Sequence, residues 1–506
     1  MKENYKVCPQ NNIQNLLPDS KYICFVVESL LSKEECEVLL NHTIRNSFQK
    51  ANTDYPNYYR NNDRLVLDDQ ELSERLFHKI KPYLPKLIEI QSTIQIENGT
   101  WVLSELNKRL RFCKYSINQY FHKHLDGVYY KSEMEQSKLT FMIYLNSATD
   151  FKGGRTLFYK TKESTDIWAS YTPKQGDIIV FDHHIWHEGE ELEYGEKFVL
   201  RSDILYTKQT KNSIKKAYHG HLGYIWKLLK FDDSILLSGG RDKTIKSWNT
   251  SGKIVQSLEG HRNSIICIEK INANTFISGS RDKKIVVWEK KENQKIKQGK
   301  VIEIHSALIL SLCRLTDTSF ISSSGDNSIK ICDLEGNILQ VFTEHKNWVW
   351  QVIKLSQNTF ATSSEDNTIK IWNTNLENSI ETFETVSPTF SLAYNETSKQ
   401  LVSGDLNGMI TIRTLSANFS VINTKTIKAH KGIIRTIKII SDDIFASGGE
   451  DNQVKIWDMK NGICLSVHKH QNFVQSLELL NENILLSASY DGTIKKINIS
   501  RPCWSS

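Results

Sequence analysis

Three residues carry the sharpest chemical signal in this 506-residue chain. His124 and Asp126 stand two apart in Tyr120-Phe-His-Lys-His124-Leu-Asp126-Gly127, a stretch that reads as strand. Side chains at i and i+2 of a strand share a face, so this imidazole and carboxylate can grip one ion. Sixty-one residues after Asp126, Phe181-Asp-His-His-Ile-Trp-His187 brings a second imidazole. Two His and one carboxylate cover one face of an octahedral iron and leave three positions for substrates. His122, His183 and His184 crowd the same segments, and their offsets read as supporting or surface positions.

An HxD pair alone is weak; the order of residues around it adds weight. Gly153-Gly154 comes first, then Gly176-Asp177 ahead of a hydrophobic strand, then His187, then Lys197 ten positions on. Tyr58-Tyr-Arg-Asn-Asn-Asp-Arg64 and Arg201-Ser-Asp203 fit the same order. From about Ile23 to Tyr206 the chain resembles the prolyl 4-hydroxylase-like branch of the Fe(II)/2-oxoglutarate-dependent dioxygenases. The resemblance implies a double-stranded β-helix, or jelly roll, with His124, Asp126 and His187 as iron ligands. It also implies Fe(2+), 2-oxoglutarate and O2, with ascorbate as a further cofactor. By the same resemblance Lys197 pairs with the far carboxylate of 2-oxoglutarate, Arg201 shares or replaces that role, and Tyr144 and Tyr115 line the site. A dianion inside a barrel needs charge-assisted bonds of this kind. A cupin isomerase or a structural zinc site uses similar ligands but leaves Lys197 and Tyr144 without a role. A halogenase of related fold lacks the carboxylate that Asp126 provides. Arg155 departs from the family pattern, where an acid is common, and bears on the substrate rim alone.

These residues need elements to hold them. Ser32-Lys-Glu-Glu35 is a capping-box pattern that predicts a helix to about Ser47, and Asp68-Asp-Gln-Glu71 opens a second with Leu72, Leu76, Phe77 and Ile80 at helical spacing. Beyond residue 110 the pattern becomes strands at 111–118, 138–146, 155–160, 177–182 and 197–206. Helices followed by strands predict a sandwich or jelly roll with helical support.

From residue 221 one unit recurs. Gly240-Arg-Asp242-Lys-Thr-Ile-Lys-Ser-Trp248 returns as Ser280 to Trp288, Ser364 to Trp372 and Gly449 to Trp457. Copies near Asp326 and Asp491 lack the Trp, and one around Asn407 to Arg413 lacks Asp, Trp and a matching His. Histidines 221, 261, 305, 345, 430 and 470 mark the period, and the long interval after 345 holds two units. Seven units of short alternating strands resemble the WD40 family, which implies a seven-bladed β-propeller and a surface for protein partners. The chain after Ile497 is too short for an outer strand, so residues 212–218 are expected to close the ring. The fold expected is mainly β, in two domains, 1–207 and 208–506. The repeat His, Asp and Trp read as structural.

Composition sets the outer limits. Hydrophobic residues make up 39% and charged residues 24%, enough for packed cores and too balanced for wholesale disorder. No apolar run approaches the roughly 18 residues that cross a bilayer. The first residues lack the apolar stretch of a signal peptide, so a cytoplasmic protein is expected. The 9 cysteines include no CxxC pair, which argues against a zinc ribbon or a disulfide framework. Residues 1–207 hold 26 Lys and Arg against 29 Asp and Glu; the remainder hold 38 against 29. The net +6 is thus an acidic segment tied to a basic one, a slight pointer to an acidic partner. The expected function is an oxygenase hydroxylating a peptidyl, prolyl-type substrate, with the repeats docking a protein or peptide and no nucleic acid or membrane. The alternatives are a small-molecule hydroxylase, or a scaffold or sensor with a vestigial oxygenase domain.

Overall fold

Alternation along the strand Glu135–Tyr144 decides the layering of the first unit. Leu139, Phe141 and Ile143 point to one side, where they join a core with Phe112, Val180, Leu200 and the helix residues Leu72, Leu76 and Ile80. Thr140, Met142 and Tyr144 point to the other side. The computed structural model describes residues 12–44, 47–50, 59–90, 97–132, 134–209, 220–291 and 295–499. It divides into Met1–Lys216 and Ala217–Ser506. The chain is mainly β, and no described helix is long and apolar enough to cross a membrane.

In the first unit a ten-stranded antiparallel sheet places Cys24–Val27, Ile178–Asp182, Glu135–Tyr144, Lys197–Lys208, Arg109–Tyr115 and Asp63–Asp68 in that order. A smaller sheet runs Ala169–Tyr171, Thr156–Tyr159, Trp186–Gly189, Phe121–His124. Between the two lies a second core, in which Phe121 and Phe158 of the small sheet meet Tyr144, Phe181 and Val199 of the large one. The helices cover the outer face of the large sheet. Lys33–Ile44 begins with a reciprocal box: Glu35 N donates to Ser32 Oγ at 3.2 Å and Ser32 N donates to Glu35 Oε2 at 3.0 Å. Gln70–Ile80 is capped by Asp69, whose Oδ1 accepts from Leu72 N at 2.9 Å.

Three expectations need correction. Strands are not confined to the region after residue 110: Cys24–Val27, Asp63–Asp68 and the eight-residue Gly99–Leu106 precede it. Cys24–Val27 is buried on both faces, between the two cores, and in the other two pairing within the large sheet outweighs a mixed local pattern. The first helix stops short of Ser47. His124 ends its strand, so Asp126 lies beyond it rather than on it.

In the second unit the described residues form six four-stranded sheets and one three-stranded sheet, each in sequence order. The first strand of each sheet packs against the first strand of the next, and Val474–Asn481 returns to Ile225–Lys230, closing a ring. The sheets are consistent with a WD40 propeller. Repeat residues knit each sheet: His345 Nδ1 meets Asp366 Oδ2 at 2.8 Å, and His345 Nε2 meets Thr362 Oγ1 at 2.8 Å. Trp372 Nε1 donates to the same hydroxyl at 2.8 Å. The divergent unit keeps its four strands by other means. Arg413 Nη1 replaces the indole as donor to Ser403 Oγ at 3.0 Å, and Asp405 accepts from Ser387 Oγ at 2.7 Å. The last sheet ends at Ile494–Asn498 with three strands, and the expected closing segment 212–218 lies outside the described residues.

Candidate metal and cosubstrate site

The inward face of the large sheet is built by register. Lys197 pairs with Tyr115, Val199 with Cys113 and Tyr144, and Arg201 with Arg111 and Met142. Paired residues on adjacent strands share a face, so Lys197, Arg201, Tyr115, Tyr144 and Cys113 all turn toward the small sheet. There His187 pairs directly with His124.

The three expected ligands converge. One donor atom each from His124, Asp126 and His187 lies within 4.8 Å of the others, and all three residues are buried. Among the described residues this is the one such cluster of His, Cys, Asp or Glu. His124 Nε2 stands 3.6 Å from Asp126 Oδ1, and His187 Nε2 stands 3.6 Å from Asp126 Oδ2. Each ring is turned by a backbone carbonyl: His124 Nδ1 donates to His122 O at 2.7 Å and His187 Nδ1 to Ile185 O at 2.9 Å. That places the proton on Nδ1 and leaves Nε2 bare, the arrangement of a metal-ligating imidazole. His124 Nε2 is a buried nitrogen with no hydrogen-bond partner. Burial keeps both rings neutral, lowering His124 to about 3 and His187 below its usual value. For Asp126 burial favours the neutral acid, but the Arg201 guanidinium outweighs it and holds the carboxylate charged. Two neutral imidazoles and a carboxylate around one bare, buried nitrogen fit a divalent iron.

The other site residues divide. Lys197 is buried, and its Nζ donates to Gly154 O at 2.6 Å while lying 4.7 Å from the centre of the Tyr115 ring. Burial lowers its pKa to about 8. Gly154 has φ +68, and a Cβ there would stand 2.9 Å from Leu192 Cδ1. Tyr144 hydroxyl shares a hydrogen bond with Thr156 Oγ1 at 2.7 Å. Tyr115, Tyr144, Lys197 and Arg201 line the same cavity as His124 and His187. Arg201, placed beside Lys197 by its sequence position, donates instead to Asp126 Oδ1.

Sequence reading missed several groups. Thr140 Oγ1 donates to Asp126 Oδ2, and its position four residues before Tyr144 on the same strand face was the available signal. Arg60 is buried, held by Asn62 Oδ1 at 2.9 and 2.7 Å, and lies 4.0 Å over the Phe121 ring. Phe121 in turn stacks on His124 at 3.6 Å. Nothing local marks this stack, because it joins strands far apart in sequence. The remaining histidines are peripheral to the cluster: His122 offers a carbonyl, and His184 pairs with Asp182 at 2.8 Å. His183 is buried away from the site cavity, along a second recess with Lys138 and Glu97.

Comparison with known proteins agrees with this division. Residues 110–202 match the family model described as 2OG-Fe(II) oxygenase superfamily. Residues 212–249, 252–289, 336–373 and 422–458 match that described as WD domain, G-beta repeat. Apoptotic protease-activating factor 1 of Mus musculus is 33% identical over 97 residues, covering 19% of this chain and 8% of that protein. Ribosome biogenesis protein YTM1 of Saccharomyces cerevisiae is 28% identical over 141 residues, covering 23% and 29%. Polyadenylation factor subunit 2 of Candida albicans is 33% identical over 96 residues, covering 18% and 17%. The chain thus spans less than a third of the length of each of these relatives. It carries a 2OG-Fe(II) oxygenase domain followed by WD40 repeats.

Proposed function

We propose that the protein is an Fe(II)- and 2-oxoglutarate-dependent dioxygenase that hydroxylates a peptidyl, prolyl-type substrate, and that its seven-sheet ring is a seven-bladed propeller docking that substrate. The observation that carries the oxygenase reading is the bare His124 Nε2 beside Asp126 and His187, in one cavity with the buried cation Lys197. On this reading the two facing sheets are the double-stranded β-helix of the superfamily, and their shared core holds the ligand-bearing strands in place.

His124, Asp126 and His187 would hold Fe(II). When bound, it supplies with 2-oxoglutarate and O2 the oxidation that inserts oxygen into a C–H bond and yields succinate and CO2. The residues of the chain do the positioning. His122 O and Ile185 O hold the two imidazoles in the tautomer that exposes Nε2. Arg201 and Thr140 hold the two oxygens of Asp126 and keep the carboxylate ionised. Lys197, with its ammonium in a buried pocket, exchanges its bond to Gly154 O for the distal carboxylate of the cosubstrate. Tyr144 and Thr156 place hydroxyls beside it. Phe121, Phe158 and Phe181, packed around the two imidazoles, exclude water from them.

The docking role rests on the WD40 repeats themselves, which hold no metal-ligating cluster among the described residues. Holding the substrate on the same chain raises its effective concentration at the iron. Incubation of the full chain with Fe(II), 2-oxoglutarate and cell lysate tests the substrate class. Oxygen added to prolines of one protein supports it, and a hydroxylated metabolite with no modified peptide refutes it.

A further inference from the structure

The tryptophans of the repeat are satisfied: Trp248, Trp288, Trp372 and Trp457 each donate to a Ser or Thr hydroxyl at 2.7–2.8 Å. Trp226 is placed differently. It is the second residue of the innermost strand Ile225–Lys230, and its buried Nε1 has no hydrogen-bond partner. Gln475, second in the innermost strand Val474–Asn481 of the adjacent sheet, has a buried Nε2 in the same condition.

These positions lie at one mouth of the ring. In both sheets the turn after the second strand bonds back to the residue ahead of the innermost strand: Arg241 N donates to Tyr224 O at 2.8 Å and Tyr490 N to Phe473 O at 2.9 Å. The equivalent bonds recur in the other sheets, for example from Glu365 N to Trp348 O at 2.9 Å and Glu450 N to Ile433 O at 3.0 Å. At the seam between the seventh and first sheets, the rings of Tyr224 and Tyr490 stack at 4.0 Å with planes 5° apart. Trp226 meets Tyr490 edge-on at 5.0 Å, and Phe473 lies 5.6 Å from Tyr490. The Arg241 guanidinium sits 4.8 Å from the Tyr224 ring centre, and no described carboxylate pairs with it.

Aromatic edges, two N–H donors without acceptors and a guanidinium therefore meet in one place, and Glu450, the acid that acts on Tyr490, is paired with Arg435 at 2.5 Å. A cationic ligand is repelled there. A ligand that answers these groups carries acceptors and negative charge next to apolar atoms. A nucleic acid offers phosphates, but the Tyr224 and Tyr490 faces that a base would need are spent on each other. Residues 208–506 also carry 38 basic against 29 acidic residues, which draws acidic chains toward this unit. We infer that the seam between the first and seventh sheets binds an acidic peptide segment, with a carboxylate on Arg241 and acceptor oxygens on Trp226 Nε1 and Gln475 Nε2. The inference deepens the docking role proposed above and rests on it.

The test uses the full chain and a fluorescein-labelled peptide of repeating Glu-Leu-Gly, read by anisotropy. The Lys-for-Glu peptide and a uridine oligonucleotide serve as comparison probes. The acidic peptide binds and the basic one does not; Arg241→Gln weakens binding by about tenfold or more, and Trp226→Phe by about threefold to tenfold. Equal binding of the two peptides, unchanged binding in the variants, no peptide binding, or tighter binding of the oligonucleotide overturns the inference. If Arg241→Gln folds poorly, Trp226→Phe, which keeps the ring and removes only the N–H, decides. Uncoupled turnover of 2-oxoglutarate in the same samples reports on the oxygenase separately. Lost peptide binding with intact turnover retires the seam and leaves the oxygenase reading standing.

Discussion

Lys197 and Arg201 project from one face of one strand, yet their contacts separate: Lys197 Nζ reaches Gly154 O at 2.6 Å, while Arg201 donates to Asp126. The sequence left these two basic residues as rivals for one carboxylate. Under the proposed function, their different partners leave Lys197 for the cosubstrate and Arg201 for Asp126. Lys197→Met is expected to raise the KM for 2-oxoglutarate by about 10- to 100-fold, the loss of a charge-assisted bond, with Fe(II) affinity little changed. Steady-state kinetics and Fe(II) titration of the same variant check both halves.

Thr140→Val and Arg201→Met are expected to show the opposite split. Each removes a group that holds an Asp126 oxygen, and losing such support typically costs about 10- to 100-fold in metal affinity. Equilibrium binding of Fe(II) under anaerobic conditions measures this without any turnover. Unchanged affinity in both variants would remove these side chains from the ligand scaffold.

Burial sets a pH limit on cosubstrate binding. Lys197 in the free protein is lowered to about 8, so its ammonium is present below that pH and lost as pH rises through it. Affinity for 2-oxoglutarate is therefore expected to be flat from pH 6.5 to 7.5 and to fall by about tenfold per unit above 8. In Lys197→Met the fall disappears. Measuring the KM for 2-oxoglutarate across that range in both proteins separates this effect from general loss of activity.

In the second unit, Asp366 accepts from His345 Nδ1, Lys346 N and Thr368 N. Burial favours the neutral acid there, but the hydrogen bond from His345 foremost holds the carboxylate charged and lowers its pKa. Asp366→Ala leaves those donors without an acceptor and is expected to cost about 2–4 kcal/mol, read by chemical denaturation. Glu384→Ala, on the exposed outer strand of the same sheet, should stay within about 0.5 kcal/mol.

What could be read in advance follows from how local each signal is. The repeats were legible because His345, Asp366 and Trp372 recur at fixed spacing and bond within a single sheet. His124, Asp126 and His187 were legible by residue type and order, although Asp126 sits past the end of its strand. Arg60 on Phe121 was not, since a buried cation on a ring so far along the chain leaves no local pattern. The strand Gly99–Leu106 was missed for a related reason. Its pairing with Lys197–Lys208 on one side and Leu87–Ile90 on the other makes it a strand. The separate duties of Lys197 and Arg201 depend on what lies opposite each, which spacing along one strand does not encode.

The central claim is that His124, Asp126 and His187 make a working iron site for 2-oxoglutarate oxidation. Its most direct test is succinate formed from 2-oxoglutarate by the purified full chain at saturating Fe(II), set beside His124→Ala. The account predicts succinate from the intact protein and none from the variant; succinate from the variant, or none from either, would contradict it.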